Sequence, residues 1–492
     1  MFRNSSSRQA AFLGALLLAT ASGCDVLNQD PPTALTEADA FANADRIGKT
    51  AVGMYNALQN AEFLGGRALI YGDIRSDDTN QAGFFGNVST FNQLPNDGIA
   101  TNAWTGGYRT LYTANYFLQG IQQNTGKVPA DVEAQYIGEA KFIRALTYFH
   151  LVNLFAQPYN FTADASHPGV PLQLVAPNAV TAFEPSQQLA RSTVAQVYAQ
   201  IEQDLNDAIT ALPETYTTPY NRTARATKDA ARGLLSRVYL YKGQYAQAAA
   251  MAGTIISGAR HTLNPSPATP FTAAGYLTSE SIFSVAMNSA DNPNTNNALG
   301  QHYGRLRRAD IVVTPYARID TTQFRSRDRR RTLLLDPPTY PTTTTTNVFT
   351  LKYNNSSFDY VPILRYSEIL LNRAEGLAQT ATGVSQDAIT LLNQVRSRSL
   401  PNIPFYVGGT VGGVTYPGVV YSTTNLTSKQ ALIDAILLER RIELAFEGHR
   451  YYDLMRYRRN SSRINYGDNK AIFPIPLVDI QQNPNLAQNT GY

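Results

Sequence analysis

Residues Ala230 to Ile256 read AARGLLSRVYLYKGQYAQAAAMAGTII, and this stretch decides the fold. Leu235, Ser236 and Tyr239 lie before Gly243, and Tyr245 and Ala248 lie after it, at the offsets of an antiparallel helix pair. Small residues let two helix backbones approach closely. Gly243 supplies the turn that stops the first helix, and the tyrosine rings fill the gap between the two. The spacing therefore predicts two packed helices with Gly243 between them.

Working outward, the same helical period recurs. Ala40 to Leu58 carries Ile47, Ala51, Tyr55 and Leu58 on one face, with Thr36 as its N-cap and Asp39 three residues on. Trp104 to Ile121 repeats the pattern through Tyr108, Leu111, Tyr112, Asn115 and Leu118. Asp131 to Phe155 carries small and aromatic residues on several faces, which predicts a buried helix. Ser192 to Leu212 begins on a serine N-cap and stops at Pro213. A second helix pair is expected at Ile363 to Ala378 and Ser385 to Arg398. The spacings between pairs are uneven, so the expected fold is mainly α. It is a tetratricopeptide-like helix-pair scaffold with long irregular loops and a few short strands.

Three long loops interrupt the helices: Asp73 to Thr101, Asn288 to Phe358 with its threonine run Thr342 to Thr346, and Pro401 to Thr427. Loops of this length in a globular chain are often functional. The third contains VGGTVGGV, which lacks the Lys-Ser/Thr of a phosphate loop and reads as a turn or hairpin.

The first residues predict export. Arg3 and Arg8 precede the short apolar run Ala10 to Ala21, then Ser22, Gly23 and Cys24. Basic, apolar and small residues in that order form a secretory signal. Cys24 is the chain's one cysteine, so it has no disulfide partner, and its place directly after the signal predicts an acylated anchor. The polar stretch CDVLNQDPPTALTEADAF that follows reads as a tether. Only 16% of residues are charged, against about 25% in typical domains, and the chain holds 29 tyrosines. That balance suits a neutral polar ligand. A net charge of +4 points away from nucleic acid. The basic run RSRDRRR, Arg325 to Arg331, is expected to be a solvated loop with local ion pairs.

In the C-terminal third, ILRYSEILLNRAEGLA (363–378), LLNQVRSRS (391–399), ILLERRIELAFEGHRYYDLMRYRR (436–459) and FPIPLVDIQQNPNLAQNTGY (473–492) follow in order. The N-terminal half adds GDIRSDDT (72–79), the Trp104–Tyr108–Asn115 helix, AKFIRALTYFHLVNLFAQPY (140–159) and GVPL (169–172). In these motifs the chain resembles the SusD/RagB family of nutrient-binding outer-membrane lipoproteins, over essentially all of its mature length. The resemblance implies a lipoprotein signal peptide at 1–23, a SusD-like N-terminal region at 24–280 and a C-terminal region at 281–492, packed as one globular unit. It implies a cell-surface protein of a Gram-negative bacterium that binds glycan and delivers it to a SusC-like TonB-dependent transporter. Peptide capture, as in RagB-like members, is the alternative.

An enzyme is a third class, and the residues speak against it. Glu439, Glu443 and Glu447 share one helix face, where a carboxylate pair could suggest glycoside hydrolysis. Arg440, Arg441, Arg450 and Arg456 lie close in sequence, so the row is expected to form a partly buried ion-pair network. Asp73, Asp77 and Asp78 lack calcium-loop spacing and are expected to cap helices and bond loop backbone. The five histidines are scattered without H-x-x-x-H, and no G-x-S-x-G occurs. No catalytic residue, metal or cofactor is expected.

The ligand is expected on the loops. Trp104, the one tryptophan, sits in a helix and is expected to pack in the core. The loop before it reads QAGFFGNVSTFNQLPND, with Phe84, Phe85 and Phe91 beside Asn87, Asn92 and Gln93. At least one of the adjacent phenylalanines should face solvent. Tyr303, Arg305, Tyr316 and Tyr340 are the counterparts in the central loop.

Overall fold

The computed structural model describes residues 37–492, apart from 82, 179–180, 182–183, 337–346, 355–356, 401–408, 412–413 and 417–419. Its longer helices are α1 (Ala44–Leu58), α2 (Arg67–Ile74), α3 (Gly98–Gln123), α4 (Ala130–Phe155), α5 (Val194–Ala211) and α6 (Lys228–Tyr241). They continue as α7 (Tyr245–Ser257), α8 (Tyr366–Thr380), α9 (Gln386–Ser399), α10 (Lys429–Glu443), α11 (Arg450–Arg456) and α12 (Leu477–Gln482).

Apart from α2, which packs on α11, each helix from α1 to α9 packs on the next. α1 packs on α3, α3 on α4, α4 on α5, α5 on α6, α6 on α7, α7 on α8, and α8 on both α9 and α10. That succession is the helix-pair scaffold the small-residue pattern predicts. Between α6 and α7, Gly243 takes φ +71°, a left-handed conformation that favours glycine. Gly376 of α8 faces α7 so closely that a Cβ there would lie 2.6 Å from the Tyr245 carbonyl oxygen. Side-chain caps fix the starts. Thr193 and Gln196 form a reciprocal capping box on α5, Thr227 caps α6, Ser385 caps α9 and Ser428 caps α10.

Several boundaries differ from the sequence reading. The first helix breaks after a short turn at Glu37–Ala40, and Asn43 caps α1. Thr36 lies outside the described residues. α3 begins at Gly98, earlier than expected, because the Asp97 side chain accepts the Ile99 N–H. The cap of α5 is Thr193, one residue beyond Ser192. Ile363 to Arg365, expected in a helix, belong to a strand instead.

The described strands are β1 (Asn80–Gln81), β2 (Ser281–Val285), β3 (Ile311–Val312), β4 (Leu335–Asp336), β5 (Phe349–Thr350), β6 (Val361–Arg365), β7 (Gly409–Val411) and β8 (Val414–Tyr416). They form antiparallel pairs β1–β3, β2–β6, β4–β5 and β7–β8. β7–β8 is the hairpin expected of the glycine-rich run. β1–β3 ties the first long loop to the second, with Asn80 opposite Val312.

The main core runs from Ala40 to Leu486, and a second cluster under α8 to α10 gathers Leu370, Leu371, Leu392 and Ile436. Among the described residues, no helix is long and apolar enough to cross a membrane.

The basic run is solvated only in its first half, where Ser326 and Arg327 are exposed, and it holds a local ion pair of Arg330 with Asp328 at 2.7 Å. Asp328 caps a short helix at Arg329–Leu334, and Arg330 and Arg331 are almost wholly buried. Arg331 donates to the carbonyls of Ala317, Ile319 and Phe324, which folds the central loop around its guanidinium. Charge run and solvent exposure part company here because five guanidinium donors can satisfy buried carbonyls that would otherwise be costly.

Candidate functional site

The loop between α2 and α3 is more ordered than its composition suggests. After β1 it forms a 3-10 turn at Gly83–Phe85 and a short helix at Gly86–Ser89. The turn splits the adjacent phenylalanines. Phe85 is fully buried, while Phe84 is 43% exposed. The rings meet edge to face at 4.8 Å and 89°.

Phe84 is held by polar groups. The Arg308 guanidinium lies 4.8 Å from its centroid and that of Arg67 lies 5.0 Å away, both within cation–π range. The His302 imidazole stacks at 5.8 Å and 28°. His302 Nδ1 bonds to Asp310 Oδ2 at 2.7 Å, and Arg308 Nε donates to the same oxygen at 2.8 Å. Burial pulls the His302 pKa down against the pull of Asp310, which favours the neutral ring. Arg67 pairs with Glu62 and donates to the Asn296 carbonyl, and Arg308 donates to the Asn296 side chain. Two residues before Arg308, Leu306 is 90% exposed, and the exposed Arg307 has no side-chain hydrogen bond or ion pair among the described residues. Arg67, His302 and Arg308 are absent from the sequence reading. Their one sequence signal is the cluster RLRR at Arg305 to Arg308, in a loop already marked as long.

The other candidates are distributed differently. Asn87 is exposed and donates to Asp97 at 3.2 Å, and Asn92 is exposed beside it. Phe91 takes φ 55° and turns inward, 8% exposed, with its ring 6.1 Å from Tyr451. The Gln93 side chain is buried too. Tyr303 and Tyr316 are core residues. The Tyr303 hydroxyl donates to Asp73 Oδ2 at 2.8 Å, and that of Tyr316 donates to the Ile442 carbonyl at 2.9 Å. Arg305 is half-buried and committed to Asp336 and the Asn347 carbonyl. Phe85, Phe91, Tyr303 and Tyr316 therefore present no ring to a ligand in this conformation. They stitch the loops to the scaffold, because an aromatic flanked by polar loop residues is still worth about 2–3 kcal/mol when buried. Tyr340 and Cys24 lie outside the described residues.

The acidic row is an ion-pair network. Glu439 meets Arg330 at 2.5 Å and Arg396 at 3.1 Å, and Glu443 meets Arg330 at 3.1 Å, Arg365 at 3.3 Å and Arg398. Glu447 meets Lys352 and Arg365, both at 2.7 Å. Every one of these side chains is buried. Burial alone would raise the Glu443 pKa, but Arg398, Arg365, Arg330 and Lys352 together hold it well below the usual range. Most partners differ from those nearest in sequence. Arg440 instead pairs with Asp453 and Glu375, and Arg441 with Asp78.

Asp73 in the last turn of α2, and Asp77 and Asp78 after it, also bind the C-terminal region. Asp73 accepts the Gly448 N–H at 3.0 Å, Asp78 accepts from Arg441, and Asp77 accepts the Ser462 N–H at 2.6 Å. They are long-range ties more than local caps. No group of His, Cys, Asp and Glu among the described residues could hold a metal ion. Trp104 is 4% exposed, packs on Tyr108 and Phe155, and donates Nε1–H to Asp479 at 3.2 Å.

Fold and site together define a helical-repeat protein that displays loops on a rigid scaffold. A family profile described as "Starch-binding associating with outer membrane" matches residues 27–240, and the profile of the SusD family matches residues 343–471. SusD-like protein P2 of Formosa agariphila is 26% identical over 97% of this chain and 98% of its own length. The crystal structure of a SusD superfamily protein from Bacteroides fragilis superposes with a TM-score of 0.77 at 28% identity, covering 91% of this chain and 100% of that one. A laminarin-binding SusD-like protein shares the fold, with a TM-score of 0.70 at 23% identity over 92% of this chain and 100% of its own. The chain belongs to the SusD/RagB family.

Proposed function

We propose that this protein is a non-catalytic glycan-binding lipoprotein of the outer-membrane surface. Acylated Cys24 anchors it, and it passes oligosaccharide to a SusC-like TonB-dependent transporter. The observation that carries the glycan reading is the partly exposed Phe84 ring, braced by Arg67, His302 and Arg308 on a scaffold whose family profile is described by starch binding. A sugar ring offers C–H groups to such a surface. Covering roughly 50 Å² of it contributes about 1 kcal/mol at ~25 cal/mol per Å². The uncharged amides of Asn87 and Asn92 lie in the same loop and can bond hydroxyls. The absence of turnover is supported by the glutamate row, whose carboxylates are all engaged inside the protein.

Calorimetric titration of the full chain with maltoheptaose and laminarihexaose tests this reading. Binding that weakens about fivefold in Phe84→Ala, with thermal stability kept, is the expected result. Equal affinity in the variant removes Phe84 from the site. No heat with either sugar removes the glycan reading.

A further inference from the structure

A concavity on α3 has no lining residue in common with the Phe84 cluster. An open cleft of about 570 Å³ runs between Trp104 and Tyr108 of α3, the segment around Gln188, and Gln482 of α12. Its volume falls within the ~300–1,000 Å³ usual for small-ligand sites. The half-buried Tyr108 ring forms the aromatic wall, backed by the buried Trp104 indole 4.6 Å away. The indole N–H is committed to Asp479 and the Tyr108 hydroxyl to the Pro171 carbonyl, so both rings are fixed in place.

Gln188 and Gln482 from distant segments, and Arg109 beside Tyr108 on α3, also line the cleft, and none of the three side chains has a hydrogen-bond partner among the described residues. Uncommitted amides in a concave site are a ligand's donors and acceptors. Each offers both, which matches a hydroxyl. An apolar ligand would leave them unsatisfied, at a cost per group comparable to a lost hydrogen bond. The cleft's one acid, Asp479, already bonds Trp104, and its one base, Arg109, balances it in charge, so the lining favours neither anion nor cation. Arg109 also borders a neighbouring furrow of about 400 Å³, where Asn56, Asn60 and Asn292 continue the amide lining. The two hollows share that one side chain, so a chain-like ligand can pass from one to the other along α3.

We propose that this groove along α3 is a second binding site, for a neutral oligosaccharide chain that lies against the half-buried Tyr108 ring, backed by Trp104, and bonds Gln188, Gln482 and Arg109. It shares the glycan reading of the Phe84 face but fails separately from it.

Trp104 is the one tryptophan of the chain, so its fluorescence reports on this groove alone. Maltoheptaose, laminarihexaose and, as a peptide probe, triglycine are each titrated into the full chain while emission and heat are recorded. A saturable change of Trp104 emission with a sugar, its midpoint weakened about tenfold in Gln188→Ala/Gln482→Ala, is the expected result. Binding heat with silent emission overturns the second site and leaves the Phe84 reading standing. So does an emission change that the double variant does not shift, or one that Phe84→Ala abolishes. A response to triglycine alone overturns the saccharide class. No heat and no emission change with either sugar overturns both readings.

Discussion

Arg330 Nη1 donates to Glu443 Oε2 at 3.1 Å, joining the central basic run to the end of α10 across 113 residues of sequence. Both side chains are almost wholly buried. The link extends on each side. Acids Glu280, Glu439, Glu443, Glu447 and Asp328 face bases Arg330, Lys352, Arg365, Arg396 and Arg398, so the buried charge is balanced. A balanced network resists loss of one member more than it adds net stability.

Glu443→Gln should therefore destabilise the fold by about 3–5 kcal/mol, because it leaves several guanidinium groups buried beside a neutral amide. Urea unfolding monitored by circular dichroism measures this. A loss below about 1 kcal/mol would show that the network is solvated. Wild-type protein should release no reducing sugar from maltoheptaose. Release that disappears in a folded Glu443→Gln variant would reassign the row to catalysis.

The two adjacent phenylalanines should behave as opposites. Phe85→Ala empties a fully buried site and should cost about 3–5 kcal/mol. Phe84→Ala removes a half-exposed ring whose main contacts are cation–π and should cost about 1 kcal/mol or less. Paired denaturation curves decide. Similar losses for both would mean that Phe84 is a structural residue like its neighbour.

Acid should weaken the protein before its carboxylates are protonated. Burial, then Arg237 and His449, lower the His150 pKa to about 3. Burial, with Arg237 and Arg440 and against Glu368 and Asp453, lowers that of His449 to about 4. An unfolded histidine titrates near ~6.5, so between that pH and the folded values only the unfolded chain takes up these protons. The stability from keeping both rings neutral is whole above about pH 6.5 and is lost as pH falls toward about 4 and then 3, at up to ~1.4 kcal/mol per pH unit for each ring. Glu368, held at about 2 by Arg237, His449 and Arg440 against its burial, stays charged through this window. Urea midpoints at steps from about pH 7.5 to 4.5 should fall, and His150→Gln should remove about one proton's share of the slope. A flat profile would contradict the burial of both rings.

Cys24→Ser should move the protein from the outer-membrane fraction to the soluble fraction. Each buried acyl CH₂ contributes about 0.8 kcal/mol, and stable anchoring needs more than one chain. Fractionation in cells lacking the transporter separates the anchor from the partner. A variant that still sediments with the outer membrane there is held by something other than Cys24.

What the sequence by itself determined is local. Period and small residues around Gly243 place α6 and α7, and the four-residue spacing of Glu439, Glu443 and Glu447 puts the carboxylates on one face. The rule that neighbouring side chains in a tight turn diverge separates Phe84 from Phe85, but it does not say which is outside. Tertiary structure decided that, through Arg67 and His302 arriving from distant segments. It also decided that Tyr303 and Tyr316 are core, that Arg330 and Arg331 of the basic run are buried, and that α3 and α12, 375 residues apart at Trp104 and Asp479, enclose one cleft. The physical reason is the range of the forces involved. Helix period and turn chemistry are set within a few residues. Burial, and the partner a charge or amide finds, depend on which distant backbones the packed core brings within 3 Å.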